Sequence, residues 1–391
     1  MKYNFDKVID RSGTSAEKVE GLKHIWGRTD LIPLWVADMD FATAPFVTDA
    51  IRKRCENEVL GYTGKPDSYY NAIINWVKQR YDLIVTKEVI NFVPGIVPGI
   101  GMAMNCFTQK GDKVMIQPPV YHPFAWVTTR NERTLVINPL RWENGMYRMD
   151  LDAFREQIKG CKLFILCNPH NPGGVVWTEA ELRAIADICY DEKVLVFSDE
   201  IHADLTLPPH THRPFATVSE KARMNSVTFM SPSKAFNMPG LSASHALIFN
   251  EDLRKRFRIY MDAGELDMGH VFAFLSVEAA YSHGTEWLDQ CLAYIQGNID
   301  FVDEFLKKHA PKIKAIRPEA SYLVWLDCRE LELSQKDLNE FFVDKAHLAL
   351  NDGEMFGKEG IGFMRLNVAS PCCIIEKAMK QLADAYQLYI K

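Results

Sequence analysis

No apolar run in this 391-residue chain approaches the ~20 residues needed to cross a bilayer, so no transmembrane helix is expected. Positive charge is not in excess: 45 Lys and Arg face 51 Asp and Glu, for a net charge of -6. A nucleic acid or an anionic membrane would find no attracting field, and neither is expected as a partner. The opening residues MKYNFDKVIDRSGT have no apolar core, so a secretory signal is not expected and a cytoplasmic chain is. The nine cysteines, at 55, 106, 161, 167, 189, 291, 328, 372 and 373, include no CxxC pair. Several lie in apolar runs such as KLFILCNP, and all are read as reduced structural thiols. His210 and His212 in PPHTHRP lack a partner motif, which makes them loop histidines and leaves no metal site. Internal repeats and low-complexity linkers are absent too.

What is present is an ordinary globular composition, 47% hydrophobic and 25% charged, in a chain too long for one core at roughly 100–200 residues per domain. After Pro45 comes a helical period (FVTDAIRKRCENEV), a turn-rich GYTGKPDS and a second helix from about Tyr69 to Tyr81. Then short β-rich runs alternate with amphipathic helices such as Glu179–Asp191. The runs are VINFVP, KVMIQPP, TLVINPL, KLFILCNP, KVLVFSDE, SVTFMSPS and SHALIFN. Such alternation predicts an α/β fold with a mostly parallel, doubly wound sheet. From about residue 285 the texture becomes that of a smaller α+β domain. The expected division is an N-terminal segment, 1–45, packing across both domains; a large domain, 46–284; and a small C-terminal domain, 285–391.

Ligands of doubly wound sheets bind at the carboxyl ends of strands, so the polar residues closing the runs are the candidates. Lys234 stands in FMSPSKAFNMPG among small hydroxyl residues, and a buried lysine amine can lose its proton and form a Schiff base with an aldehyde. Asp199 ends KVLVFSDE. Asn168 closes KLFILCNP, 31 positions before Asp199, a spacing that suits one strand–helix–strand unit and places the two side chains as neighbours. Gly95 precedes an apolar helix whose Ile96 and Val97 amides are candidates for a phosphate. Ser231 and Ser233 add hydroxyls, and Tyr121 in PPVYHPF offers a ring face. Arg365 sits in the apolar GFMRLNV run, where a planar cation needs a carboxylate partner. Together these meet the needs of pyridoxal 5'-phosphate: a covalent anchor, a phosphate cradle, an acid facing the pyridinium nitrogen and a donor to the phenolate oxygen.

Gly95, Tyr121, NPHNPGG, SDEIH, SPSKAF and the GxxR stretch resemble the class I/II aminotransferase superfamily of pyridoxal-phosphate enzymes, fold type I. LWVADMDF, LGYTG, SDEIHADL, SPSKAFNMPGL and LNDGEMFG resemble more narrowly its cystathionine β-lyase branch, the MalY/PatB-type carbon–sulfur lyases. The resemblance covers nearly the whole chain. It implies Lys234 as the Schiff-base lysine, Asp199 as the pyridinium partner, Asn168 as the phenolate donor, Arg365 as the grip on the substrate carboxylate and Tyr121 as the ring-stacking residue. It also implies a homodimer in which Tyr62 reaches the phosphate of the neighbouring subunit. Substrate side-chain contacts are expected from Ala37 in the N-terminal segment and from the loop at Asn351. Tyr121 or Tyr62 is the candidate general acid. Two positions depart from the aminotransferase pattern: Ser242 replaces a phosphate-binding arginine, and His202 replaces a tyrosine that touches the phenolate oxygen. The implied activity is α,β-elimination from L-cystathionine or another L-cysteine S-conjugate, giving pyruvate, ammonia and a thiol. An aminotransferase is the alternative, and a cofactor-binding regulator a third reading.

Overall fold

The computed structural model describes residues 3–389. The seven apolar runs form one seven-stranded sheet: β1 (Ile90–Val93), β2 (Lys113–Ile116), β3 (Thr134–Ile137), β4 (Cys161–Cys167), β5 (Leu195–Asp199), β6 (Ser226–Met230) and β7 (Ser244–Leu247). Their spatial order is β1-β7-β6-β5-β4-β2-β3. The strands from β6 to β3 pair in parallel, while β7 runs antiparallel to both of its neighbours.

Strand β4 shows why these runs are mainly apolar. Side chains alternate between faces along a strand. Leu163, Ile165 and Cys167 pack with Ile100 and Met104 of the helix Ile96–Phe107, while Phe164 and Leu166 pack with Leu182 and Ile185 of the helix Glu179–Asp191. Both faces are covered from Leu163 to Cys167, and that stretch is apolar; the one charged residue of the strand, Lys162, is exposed near its start. The second helix starts where the sequence signals it: Thr178 Oγ accepts the Glu181 N–H at 3.2 Å and the Glu181 carboxylate accepts the Thr178 N–H at 2.8 Å. Losing such a reciprocal cap typically costs about 1 kcal/mol.

The C-terminal part builds an antiparallel sheet from β8 (Lys314–Ile316), β9 (Leu323–Asp327), β10 (Asn351–Asp352) and β11 (Phe363–Asn367), in the order β8-β9-β11-β10. The long helix Thr285–His309 and the helix Cys372–Tyr389 pack beside it. Residues 32–41 run between the two sheets. Ile32–Pro33 pair in parallel with Leu348–Ala349, and further along Met39 and Phe41 bond to Asn237 from the loop after β6. Among the described residues no helix is long and apolar enough to cross a membrane. The nine cysteines are free thiols. His212 lies on a loop, as expected, but is buried there, its Nε2 2.8 Å from the Glu200 carboxylate.

Candidate active site

Lys234 follows β6 and reaches into a cavity of about 200 Å³ walled by Ala37, Tyr121, Asn171, Asp199, His202 and Ser233. Its Nζ donates to the Ala37 carbonyl at 2.5 Å. Burial draws the amine down to about 8, aided by the positive charge of Arg365 and opposed by Asp38 and Asp199. A larger cleft of about 460 Å³ beside Trp126 includes neither Lys234 nor Asp199.

Asp199 ends β5 and is buried, and its Oδ1 accepts the Ile201 N–H at 3.1 Å. Burial raises its carboxyl to about 7. Register decides which residue of the preceding strand shares its face. Asp199 pairs with Cys167, so Cys167 turns into the cavity. Asn168, one position on, turns away: its Nδ2 donates to the Arg213 carbonyl at 3.1 Å. The expectation that Asn168 donates to a phenolate, or touches substrate, is therefore corrected. A shift of one residue along a strand exchanges faces. The asparagine that lines the cavity is Asn171, in the second half of the same NPHNPGG turn.

Arg365 projects from β11, opposite Asn351 on β10. It is buried, with Nη1 donating to Asn171 Oδ1 at 3.1 Å and Nη2 to the Trp35 carbonyl at 3.1 Å and Asn351 Oδ1 at 2.5 Å. Its Nε has no partner, and its guanidinium lies 4.8 Å from the Phe356 ring centroid. No carboxylate pairs with it among the described residues. Burial accordingly draws this arginine down to about 10. An internal salt bridge, the structural alternative for an arginine in an apolar run, is absent.

Helix geometry leaves the N–H groups of Ile96 and Val97 without intrahelical acceptors, and Pro98 has no N–H. Gly99 is the first to bond back, to Gly95 at 2.9 Å. Gly95 itself caps the helix and stands outside the cavity wall, whereas Ile96 and Val97 line it. Ser233 lines the cavity, but Ser231 does not: its hydroxyl donates to the Ala243 carbonyl at 2.7 Å and accepts the Ser233 N–H at 3.1 Å. That proton is committed to shaping the turn, which corrects Ser231 as a phosphate ligand. Ser242 is exposed, in the left-handed region with φ 47°. His202 is buried against the cavity with Nδ1 unpartnered, and burial lowers it to about 3, so it stands neutral. Tyr62 is 100% exposed and takes no part in its own chain's cavity.

Asn171, Cys167 and the Trp35 carbonyl were missed by sequence reasoning. Asn171 had a signal, since NPHNPGG contains two Asn-Pro pairs and strand parity separates them. The Trp35 carbonyl had none, because only tertiary packing brings it to Arg365.

The donor set fits pyridoxal 5'-phosphate. A half-buried amine near neutrality suits an aldehyde, a buried acid raised to about 7 lacks the cation that would hold it ionised, and free amides meet Ser233 at a helix start. The family description "Aminotransferase class I and II" matches residues 29–384. Cystathionine beta-lyase PatB of Bacillus subtilis is 38% identical, covering 98% of this chain and 99% of its own. Cystalysin of Treponema denticola, whose crystal structure contains a pyridoxal 5'-phosphate cofactor, superposes with a TM-score of 0.96 at 33% identity, covering 100% of both chains. The PLP-bound C-S lyase of Staphylococcus hominis superposes with a TM-score of 0.91 at 35% identity, covering 99% of this chain and 98% of its own.

Proposed function

This chain belongs to the class I and II aminotransferase family, and we propose that it is a pyridoxal-phosphate-dependent carbon–sulfur β-lyase. It converts L-cystathionine, or a related L-cysteine S-conjugate, with water to pyruvate, ammonia and a thiol, which is homocysteine in the case of cystathionine. The observation that carries the reading is Arg365: a buried cation without an acidic partner, bonded to Asn171 on the wall of the cavity that holds Lys234 and close enough to lower the affinity of that amine for its proton.

Pyridoxal phosphate, when bound, supplies an electrophilic carbon for the substrate's amino group and a ring that takes up the electrons released at Cα. Lys234 would anchor it, Asp199 would face its ring nitrogen, and Asn171 would donate to its phenolate oxygen. The Ile96 and Val97 amides and the Ser233 hydroxyl would hold its phosphate. Arg365 orients the substrate by its α-carboxylate. The Lys234 amine, held near neutrality by burial and by Arg365, takes the Cα proton. A thiolate leaves Cβ readily, and Tyr121, whose hydroxyl burial keeps protonated, stands at the cavity to donate if a proton is required. Fully exposed in the single chain, Tyr62 gains a role only in a homodimer, where the partner subunit's Tyr62 would complete the phosphate site.

Pyruvate release from L-cystathionine with no added 2-oxo acid tests the reading. Elimination yields pyruvate under these conditions; a transaminase yields none. Lys234→Ala should abolish turnover and the visible absorbance that develops when pyridoxal phosphate is added, and retention of either overturns the assignment of Lys234.

A further inference from the structure

The segment Trp35–Phe41 is held by donors from both sides, and one of its carbonyls is left for the lysine. Asn367, fully buried on β11, donates from Nδ2 to the Val36 carbonyl at 2.7 Å and to the Asp38 carbonyl at 2.6 Å. Its Oδ1 accepts the Ala369 N–H at 2.8 Å, which fixes the amide's orientation. From the loop after Lys234, Asn237 accepts the Met39 N–H at 2.9 Å and donates to the Met39 and Phe41 carbonyls at 2.9 and 2.7 Å. The carbonyls that alternate with Val36 and Asp38 go elsewhere. Trp35 receives Arg365, and Ala37 receives Lys234 Nζ at 2.5 Å and the Tyr322 hydroxyl at 2.9 Å.

Pinning the carbonyls on either side of Ala37 limits rotation of the peptide between them. We propose that Asn367, with Asn237 opposite, is a positioning residue: it aims the Ala37 carbonyl at Lys234 and so sets where the proton-transferring amine rests, and in which protonation state. The inference rests on the function proposed above. A carbonyl acceptor favours the ammonium form over the neutral amine. The other groups facing Lys234 are Arg365, which disfavours its charge, Asp38 and Asp199, which favour it, and neutral His202 and Tyr121 on the cavity wall. Of these residues Asp38 alone bonds to Asn367, and it does so through its backbone carbonyl rather than its carboxylate.

Holoenzyme with L-alanine isolates the proton step. Alanine has no β leaving group, so its Cα proton passes to Lys234, exchanges with solvent and returns, and NMR follows deuterium entering Cα. Exchange requires the neutral amine, and its acid limb therefore reports Lys234. Asn367→Ser should lower the plateau at least about tenfold through misplacement. It should also move the acid limb down by about half a pH unit, because the ammonium loses its acceptor. Tyr322→Phe removes the competing donor and should move the limb up. Asn237→Gly, tolerated by the φ of 52° there, should act in the same direction as Asn367→Ser and carries the test if that variant does not fold. Visible cofactor absorbance and melting temperature verify intact holoenzyme. An acid limb unmoved in both asparagine variants overturns the proposal, as does a downward shift in Tyr322→Phe. No exchange in the parent enzyme defeats the functional reading itself, and the proposal with it.

Discussion

Arg365→Met removes the guanidinium while keeping an unbranched chain in its place, and the structure fixes what should be lost. Three of the five N–H donors of an arginine are engaged here by Asn171, Trp35 and Asn351, and none by an acid. The folded chain already holds the cation in a poorly solvated position, as its value near 10 shows. A substrate carboxylate therefore meets a donor with little further desolvation. Hydrogen bonds to charged groups contribute about 1.5–3 kcal/mol each, and two of them, less the desolvation of the carboxylate, leave roughly 3–4 kcal/mol. At ~1.4 kcal/mol per factor of ten, kcat/KM for an L-cysteine S-conjugate should fall about 10²–10³-fold. The assay is a cycle: thiol release from the acid and from its α-carboxamide, each with parent and variant enzyme. The amide should be a poor substrate for the parent enzyme and lose only a few-fold more in the variant, so the acid-to-amide preference collapses. Equal losses for acid and amide would show that Arg365 supports the cavity without touching the carboxylate, and would refute the argument.

The Asp199 carboxyl stands at about 7 in the folded, ligand-free chain but near ~4 when unfolded, so the folded state binds the extra proton between those values. Stability of the apoprotein should fall as pH rises through that window. Asp199→Asn should melt above the parent apoprotein at pH 8 and level with it at pH 4; a constant gap would contradict the burial argument. Asn171→Ala should lower kcat/KM tenfold or more, whereas Asn168→Ala should lower the melting temperature through loss of a partly buried hydrogen bond of about 1 kcal/mol and leave kcat/KM within a few-fold. The reverse pattern would restore Asn168 to the site. Tyr62→Ala and Lys234→Ala proteins, each inactive alone, should regain activity when unfolded and refolded together, since one mixed dimer site then holds both side chains; no recovery argues against a shared site.

The strands and the three charged groups were legible because each is a local contradiction in the sequence. Asp199 and Arg365 interrupt apolar runs, and Lys234 follows one immediately; burying an unpaired charge is so unfavourable that it rarely occurs without a purpose. Asparagines carry no such alarm. Asn168 and Asn171 look alike in NPHNPGG, and the choice between them depends on the pairing of Cys167 with Asp199, which spacing approximates only to within a residue. An error of one residue is harmless for locating a strand and decisive for which face a side chain occupies. Asn367 did leave a trace, a second polar residue two positions after Arg365 in an otherwise apolar strand. Its partners, the carbonyls of Val36 and Asp38, lie over 300 residues away in sequence, and no local pattern specifies them.

The electrostatic directions at the site share one cause. Burial pulls Lys234 and Arg365 down and pushes Asp199 up, so each group moves toward shedding its charge. Paired with one another, they would have shifted the opposite way, as Asp30 does beside Arg28 on the surface. The fold thus holds two cations and an acid near one another, Lys234 and Asp199 on the cavity wall and Arg365 behind Asn171, without letting them neutralise each other. A ligand that brings a carboxylate to Arg365 and a protonated ring nitrogen to Asp199 supplies both missing counter-charges at once, and each pairing strengthens because the group was desolvated beforehand. Lys234 receives no such counter-charge. Its hydrogen-bond partner is a neutral carbonyl, and of the two cations it is the one drawn down far enough to give up its proton near neutral pH, as the proposed base must.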